Sequence, residues 1–280
     1  MSDSTQNQAD KPKNIGATLF LERPAEIDCR LLIERVGKTL EIDPKHAEGN
    51  KPGGSIVLPA AGDVIMGMRM DMPYPAALDR PAAFAYWWPD VKKDIARCQA
   101  HLMVFCRWSR FSRLDAHMRH LILVRELVEQ LPVIGVLWGS VLMPSSALKG
   151  EFVQTLKGAI PFSLWVLIQF SKQPNGNILI STIGMRDFGL MEIETESSLP
   201  LDRTYDLVRK IGSYLLAKGA VVKDGETVGP SAEEQIRVRH VRSFRPDVND
   251  NVYWLELSDK PTVRKPAGIF NRLFGSSSKH

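Results

Sequence analysis

Every apolar run in this chain is short. The longest, "PVIGVLWGSVLMP" (132–144), is bracketed by proline and interrupted by glycine and serine, well below the roughly 20 apolar residues that a bilayer-spanning helix requires. The remaining apolar residues follow two patterns. One is a strand-length run closed by glycine or proline, and the other is a longer stretch with apolar side chains three and four residues apart. A chain of 280 residues that alternates these patterns buries its apolar surface by packing helices on sheets. The expected class is α+β, with mixed or antiparallel sheets and packed helices.

Residues 1–14 are polar and are expected to be disordered. "ATLFLE" (17–22) predicts a strand, and "EIDCRLLIERVGKTL" a helix with Cys29, Leu32, Val36 and Leu40 on one face. "HAEGNKPGGS" reads as a loop. Two strands in "SIVLPAAGDVIMGMRMDM", a helix containing "VKKDIARC" and the strand "AHLMVFCRW" complete a β-α-β-β-α-β order, that of a ferredoxin-like half. A helix over 113–131 carries Leu114, Met118, Leu121, Val124, Val128 and Leu131, and Pro132 stops it before the strand "VIGVLWG". "PFSLWVLIQF" and "NILISTI" flank Pro174-Asn175-Gly176, a hairpin signal because Asn-Gly accepts the positive φ angles of a tight turn. The helix "LDRTYDLVRKIGSYLLAKG" has Leu201, Tyr205, Val208, Ile211 and Leu215 on one face and Gly219 as its stop. Strands from "SAEEQIRVRHVRSF" and "NVYWLELS" close the sheet. The expected organisation is a two-lobed domain over 15–259, with ferredoxin-like lobes at 15–108 and 109–259 sharing a core, followed by a separate segment over 260–280.

The formal charge is +4, but residues 260–280 hold five basic side chains and no acidic one, so the rest of the chain stands at −1. A near-neutral body gives no electrostatic footprint for nucleic acid. Three dispersed cysteines (Cys29, Cys98, Cys106) fit reduced thiols better than a disulfide framework. With no leader-like N-terminus, cytoplasmic is the expected location.

"GMRDFGLMEIE" (184–194) contains Asp187-Phe188-Gly189, a tripeptide that holds catalytic magnesium in protein kinases. Kinase chemistry also needs a glycine-rich loop and an Asp-and-Asn catalytic loop upstream, and neither is present, nor is a phosphate loop of the G-x-x-x-x-G-K type. Asp187 is therefore expected to be a turn residue, and no cofactor is expected. The segments "MPYPAALDRPAAFAYWWPDVKKDIARCQAHLMV", "VIGVLWGSVLMPSS", "IPFSLWVLI", "STIGMRDFGLMEIE" and "KDGETVGPSAEEQIRV" resemble, in order and spacing, the bacterial domain-of-unknown-function family 4261, from about Ala17 to Leu257. The resemblance implies a cytoplasmic α+β fold and supplies no catalytic residues. It also implies a link to competition systems, in which some related proteins act as immunity or accessory proteins. Where that family carries a fuller glycine-rich patch after G-V-x-W-G, this chain has Ser140-Val141-Leu142-Met143.

Other residues could carry chemistry. His117 and His120 stand three apart on a helix, a spacing that can share a metal, but no third ligand of suitable type accompanies them; buried histidines are the simpler reading, and no metal is expected. Cys98, His101 and Cys106 lie close in sequence, yet His101 and Cys106 point to opposite faces of a strand. Trp87, Trp88, Trp138 and Trp165 read as core. Ser231-Ala232-Glu233-Glu234 reads as a capping box, and Arg237, Arg239 and Arg242 as a charged strand edge. A pocket near Trp138 with Arg186 and Glu192 is the alternative that would make this an enzyme or small-ligand binder.

The C-terminal segment differs from all of these. "IFNRLF" places Ile269, Phe270, Leu273 and Phe274 on one side of a helical turn after a proline-spaced basic linker. Folding back, docking a protein partner and touching a membrane surface are its three uses. The leading expectation is a non-catalytic interaction module with these four residues as the partner-binding element.

Overall fold

The computed structural model describes residues 14–257 apart from 46, 52–54, 77, 230–233 and 247. The expected tails, residues 231–233 of the capping box, and the segment Ile269, Phe270, Leu273 and Phe274 lie outside the described residues. The chain forms two compact units, which divide between Trp165 and Val166.

The first unit contains β1 (Ile15–Leu21), α1 (Cys29–Leu40), β2 (Glu48–Lys51), β3 (Ser55–Ala60), β4 (Asp63–Met70), α2 (Asp79–Ala83), α3 (Val91–Ile95), β5 (Ala100–Cys106), α4 (Arg113–Gln130), β6 (Val133–Trp138), β7 (Val141–Pro144), α5 (Ser145–Leu156) and α6 (Phe162–Trp165). Its seven strands run in the order β2-β3-β4-β5-β1-β6-β7, and each neighbouring pair is antiparallel. Helix starts follow local chemistry. The Asp28 carboxylate accepts from Leu31 N at 2.9 Å, and Ser112 Oγ accepts from Asp115 N at 3.1 Å, each meeting one of the N–H groups a first turn leaves free.

The α+β class with two lobes, each built on its own sheet, is what the structure has. The wiring inside the first lobe differs from the expected ferredoxin-like half. The strand enclosed by a β-α-β crossover is β1, and it lies between β5 and β6, which α4 joins. The helix at 113–130 thus returns the chain to the sheet it left, so the first unit extends to Trp165 instead of closing near residue 108. Two local expectations also change. Glu48 and Lys51, read as loop, pair with Val57 and Ser55 as β2. Phe162–Trp165, read as strand, is a helical turn closed by Leu164 N on Pro161 O at 3.0 Å, and the strand begins at Leu167.

The two faces of this sheet differ. On one, Leu19, Leu58, Ile65, Leu102 and Val104 are fully buried; α4 lies on this side, because His120 packs against Trp138, the register partner of Ala17. On the other face, Phe20, Leu142, Trp88, Ala85, Val91 and Cys98 form a second core. The chain between β4 and β5 makes it. Tyr74 meets Phe20 edge-on at 5.5 Å, the Trp87 indole donates to Leu142 O at 3.1 Å, and the Trp88 indole donates to Asp94 Oδ2 at 2.8 Å.

The second unit contains β8 (Leu167–Lys172), β9 (Ile178–Ile183), β10 (Ile193–Ser197), α7 (Leu201–Lys218), β11 (Thr227–Val228), β12 (Ile236–Arg242) and β13 (Asn251–Glu256). Its sheet order is β11-β12-β13-β10-β9-β8, antiparallel except for β10 beside β13. The Asn175-Gly176 turn joins β8 to β9 as expected, with Gly176 at φ +86°. α7 buries Leu207, Val208, Ile211 and Leu215 and ends at Gly219, φ +58°.

A direct check of the second core lies at Gly135, the register partner of Phe20. A Cβ there would collide with the Trp88 ring and come within 2.7 Å of Met143 O. Gly135→Ala is expected to lower unfolding free energy by about 1–3 kcal/mol through overpacking. Gly150→Ala, in helix α5 with nothing within 4 Å of the new Cβ, is expected to raise it by about 0.5–1 kcal/mol. Urea unfolding of the two variants measures both signs.

Candidate functional site

The kinase-like tripeptide sits where β9 turns into β10. Gly184 (φ +126°) and Gly189 (φ +78°) bracket one 3₁₀ turn, Met185–Phe188, and only glycine takes such angles without strain. The first N–H groups of that turn have no partner within it. Glu192 supplies one. Its carboxylate is 3 % exposed; Oε1 accepts from Gly184 N at 2.9 Å and Arg186 N at 3.4 Å, and Oε2 from Thr182 Oγ1 at 2.7 Å and Met185 N at 3.3 Å. Two donors on each oxygen fill the four acceptor sites of a carboxylate. Glu192 therefore has no lone pair left for a metal, a substrate or a transferred proton. Asp187 itself is exposed.

Two residues further along β10, Glu194 is fully buried. It accepts from Ser243 Oγ at 2.6 Å and Phe244 N at 3.1 Å, and pairs with Arg245 Nε at 3.4 Å. Arg186 pairs with Asp250. The two glutamates thus tie β10 to the turn on one side and to the loop after β12 on the other. Alternation predicts that Glu192 and Glu194 share a face of the strand; it does not predict their burial, and Glu194, Ser243 and Arg245 escaped sequence reasoning.

In the first unit, two histidines and two tryptophans stack beneath the sheet. His117 and Trp165 meet at 5.5 Å, His120 and Trp138 edge-on at 5.2 Å, and the two indoles at 6.3 Å. His117 Nδ1 lies 2.7 Å from Arg113 O, so it donates there, the backbone bond expected of a buried histidine. His120 is fully buried with no hydrogen-bond partner at either ring nitrogen. Burial, with a smaller contribution from His117, pushes its pKa down to about 3, so the ring is neutral at ordinary pH beside the indole of Trp138. Trp138 and Trp165 are core, as expected. Among the described residues no three His, Cys, Asp or Glu side chains converge as a metal site.

The thiols are withdrawn as well. Cys98 Sγ donates to Ala100 O at 2.9 Å, and burial pushes the Cys106 thiol up to about 12. His101 and Cys106 do lie on opposite faces: His101 registers with Phe20, Cys106 with Ile15. A thiol that far above neutrality offers no thiolate nucleophile.

Two surface features remain, both in the first unit. A cleft of about 380 Å³ is lined by Glu22, Trp88, Asp94, Arg97, Ser145 and Lys149 among others. Its charges already have partners: Arg97 pairs with Glu22 and with Asp94 at 3.6 Å, and Lys149 with Glu129 at 3.7 Å. The second feature is an open apolar strip on the sheet face that carries the Trp88 core. Register builds it from two cross-strand rows, Val57–Met66–Phe105–Gly16 and Ser55–Met68–Met103–Thr18, with Pro59–Val64 beyond. Met66 is 53 % exposed, Met68 48 % and Val64 42 %. The signal was present in "DVIMGMRM", where Val64, Met66, Met68 and Met70 alternate with Ile65 and Gly67, so both faces of β4 are apolar.

The proposed pocket residues fall in both units. Trp138 belongs to the aromatic stack of the first, and Arg186 with Glu192 to the turn of the second.

Residues 181–250 match the family described as Domain of unknown function (DUF4261). The matched span holds every member of the two carboxylate networks, from Thr182 through Glu192 and Glu194 to Ser243, Arg245 and Asp250. It is narrower than the Ala17–Leu257 span on which the resemblance was read. No curated protein and no solved structure matches the chain.

Two experiments follow from this geometry. Glu192→Ala strips the acceptor from four donors and is expected to cost about 3 kcal/mol or more of stability. Asp187→Ala should change it by less than about 1 kcal/mol. Denaturant unfolding compares the pair, and calorimetry with Mg-ATP is expected to show no heat that Asp187→Ala removes. The second concerns acid. Unfolded His120 binds a proton below about pH 6.5, while the folded ring resists to about 3. Its stabilising effect is complete above pH 6.5 and is lost as pH falls toward 3, reaching about 2 kcal/mol by pH 5. His120→Leu should flatten that part of the stability–pH curve, measured by urea unfolding at pH 7, 6 and 5.

Proposed function

We propose that this protein is a non-catalytic, cytoplasmic protein-interaction module, of the accessory or immunity type found in bacterial competition systems. One observation carries the reading. The groups that could do chemistry (Glu192, Glu194, His117, Cys98) are committed to internal bonds, whereas the Val64–Met66–Met68 strip stands open. Contiguous exposed apolar surface on a folded protein marks an interaction site, and methionine side chains adapt to varied partners. The DUF4261 match and the resemblance to that family over a longer span support the accessory role. The Ile269–Phe274 segment is the second proposed contact, a short tethered docking element.

The alternative is a small-ligand protein, favoured by the cleft at Trp88, whose volume lies in the range of ligand pockets. Capture from the native cell separates the two. Met66→Lys with Met68→Lys is expected to abolish partner capture, and Phe270→Ala with Phe274→Ala to weaken it, with thermal midpoints unchanged within about 2 °C. Capture that survives both pairs of substitutions would sink the interaction reading.

A further inference from the structure

The open strip has a covered counterpart on the same sheet face. Over β1, β6 and β7 that face is closed by the chain between β4 and β5, which sets Tyr74 against Phe20 and His101 and Trp88 over Gly135. Over β3, β4 and β5 the equivalent positions are Val57, Met66, Met68, Met103 and Phe105, of which Met66 and Met68 are exposed and the other three half-buried. The chain carries one further element of the covering kind, Ile269-Phe270-Asn271-Arg272-Leu273-Phe274. Aromatic rings on thioethers are a favourable contact.

We propose that the Val57–Met66–Met68–Phe105 strip of one copy receives the Ile269–Phe274 segment of a second copy, and reciprocally, in a two-fold dimer. Eleven residues lie between Leu257, the last described residue, and Ile269, a contour of up to about 40 Å that is ample for reaching a neighbouring molecule. Area favours this arrangement over a face-to-face pair. The strip's strongly exposed members are Val64, Met66 and Met68, far fewer than the roughly 20–30 residues a side of a stable interface. Reciprocal docking uses two strips and two segments per dimer, and the second contact forms at the effective concentration set by the first. Because exchange closes on itself, it ends at two copies and does not propagate. The inference rests on the interaction reading above and names one occupant of its surface.

Sedimentation velocity of the full chain from 1 to 200 µM tests it. The wild type is expected to shift from monomer to dimer across that range. Phe270→Ala with Phe274→Ala is expected to abolish dimerisation over this range, since the reciprocal dimer then loses four aromatic anchors, each accounting for about tenfold. Met66→Lys with Met68→Lys should do the same. Mixing these two double variants is expected to restore a weaker heterodimer, because one intact strip then meets one intact segment. A synthetic peptide of residues 261–280 should dissociate the wild-type dimer, which keeps the test independent of how either variant folds. A wild type that stays monomeric throughout, including one whose segment docks within its own chain, overturns the proposal. So does a dimer that both double variants retain, or one that the peptide leaves intact. Loss of the dimer idea with Met66- and Met68-dependent capture preserved would leave the interaction reading standing, so the two fail separately.

Discussion

A carboxylate withdrawn from water has to be met by donors, and two stand here, Glu192 just before β10 and Glu194 within it. Glu192 is met by the backbone of the turn that precedes it, and Glu194 by the loop that follows β12. An unpaired charge at such depth would cost several kcal/mol, so neither segment can move independently of the strand. The rest of the second unit takes its arrangement from this. The β9–β10 connection must keep Gly184 and Gly189 at positive φ, because only that tight turn aims three consecutive N–H groups at one carboxylate. The chain after β12 must bring Ser243 and Arg245 back over β10. The DUF4261 match over 181–250 coincides with this lock.

The first unit solves a different problem. An interior strand of its sheet, β1, comes first in the chain, and both its neighbours come later, β5 from residue 100 and β6 from residue 133. The sheet is therefore closed by long-range pairing, and the helices between its strands serve as crossovers and as cover. α4 fulfils both roles: it returns the chain from β5 to β6 around β1, and it brings His117 and His120 against Trp165 and Trp138. A neutral His120 there keeps two polar atoms in an apolar stack, a tolerable arrangement only while the ring stays unprotonated.

Much of this was legible in the residues, and the failures have physical causes. Stripes at three and four residues located α1, α4 and α7 because amphipathic helices need a dry face, and Asn175-Gly176 located its hairpin because the turn needs positive φ. The wiring of the first lobe was not legible, since a β-α-β-β-α-β order is compatible with more than one strand pairing and periodicity carries no information about partners. Asp187 drew attention by its neighbours in sequence, whereas Glu192, five residues on, occupies the centre of the turn. Strand alternation tells which residues share a face and is silent on whether that face meets water, so the burial of Glu192 and Glu194 was not legible. The same silence concealed the opposite case on β4, where alternating methionines stand open.

These two reversals bear on function together. Burying acids and exposing thioethers both work against stability, the first through desolvation and the second through apolar surface left in water. The buried acids are offset locally, because each has its donors within the fold. The exposed strip has no such compensation among the described residues. Val64, Met66 and Met68 could be polar without disturbing Ile65 or Gly67, which serve the other face of the same strand. An apolar surface that folding does not require is explained by something that binds it. That asymmetry, acids closed inside and an apolar strip left open outside, is the ground on which the proposed docking role rests.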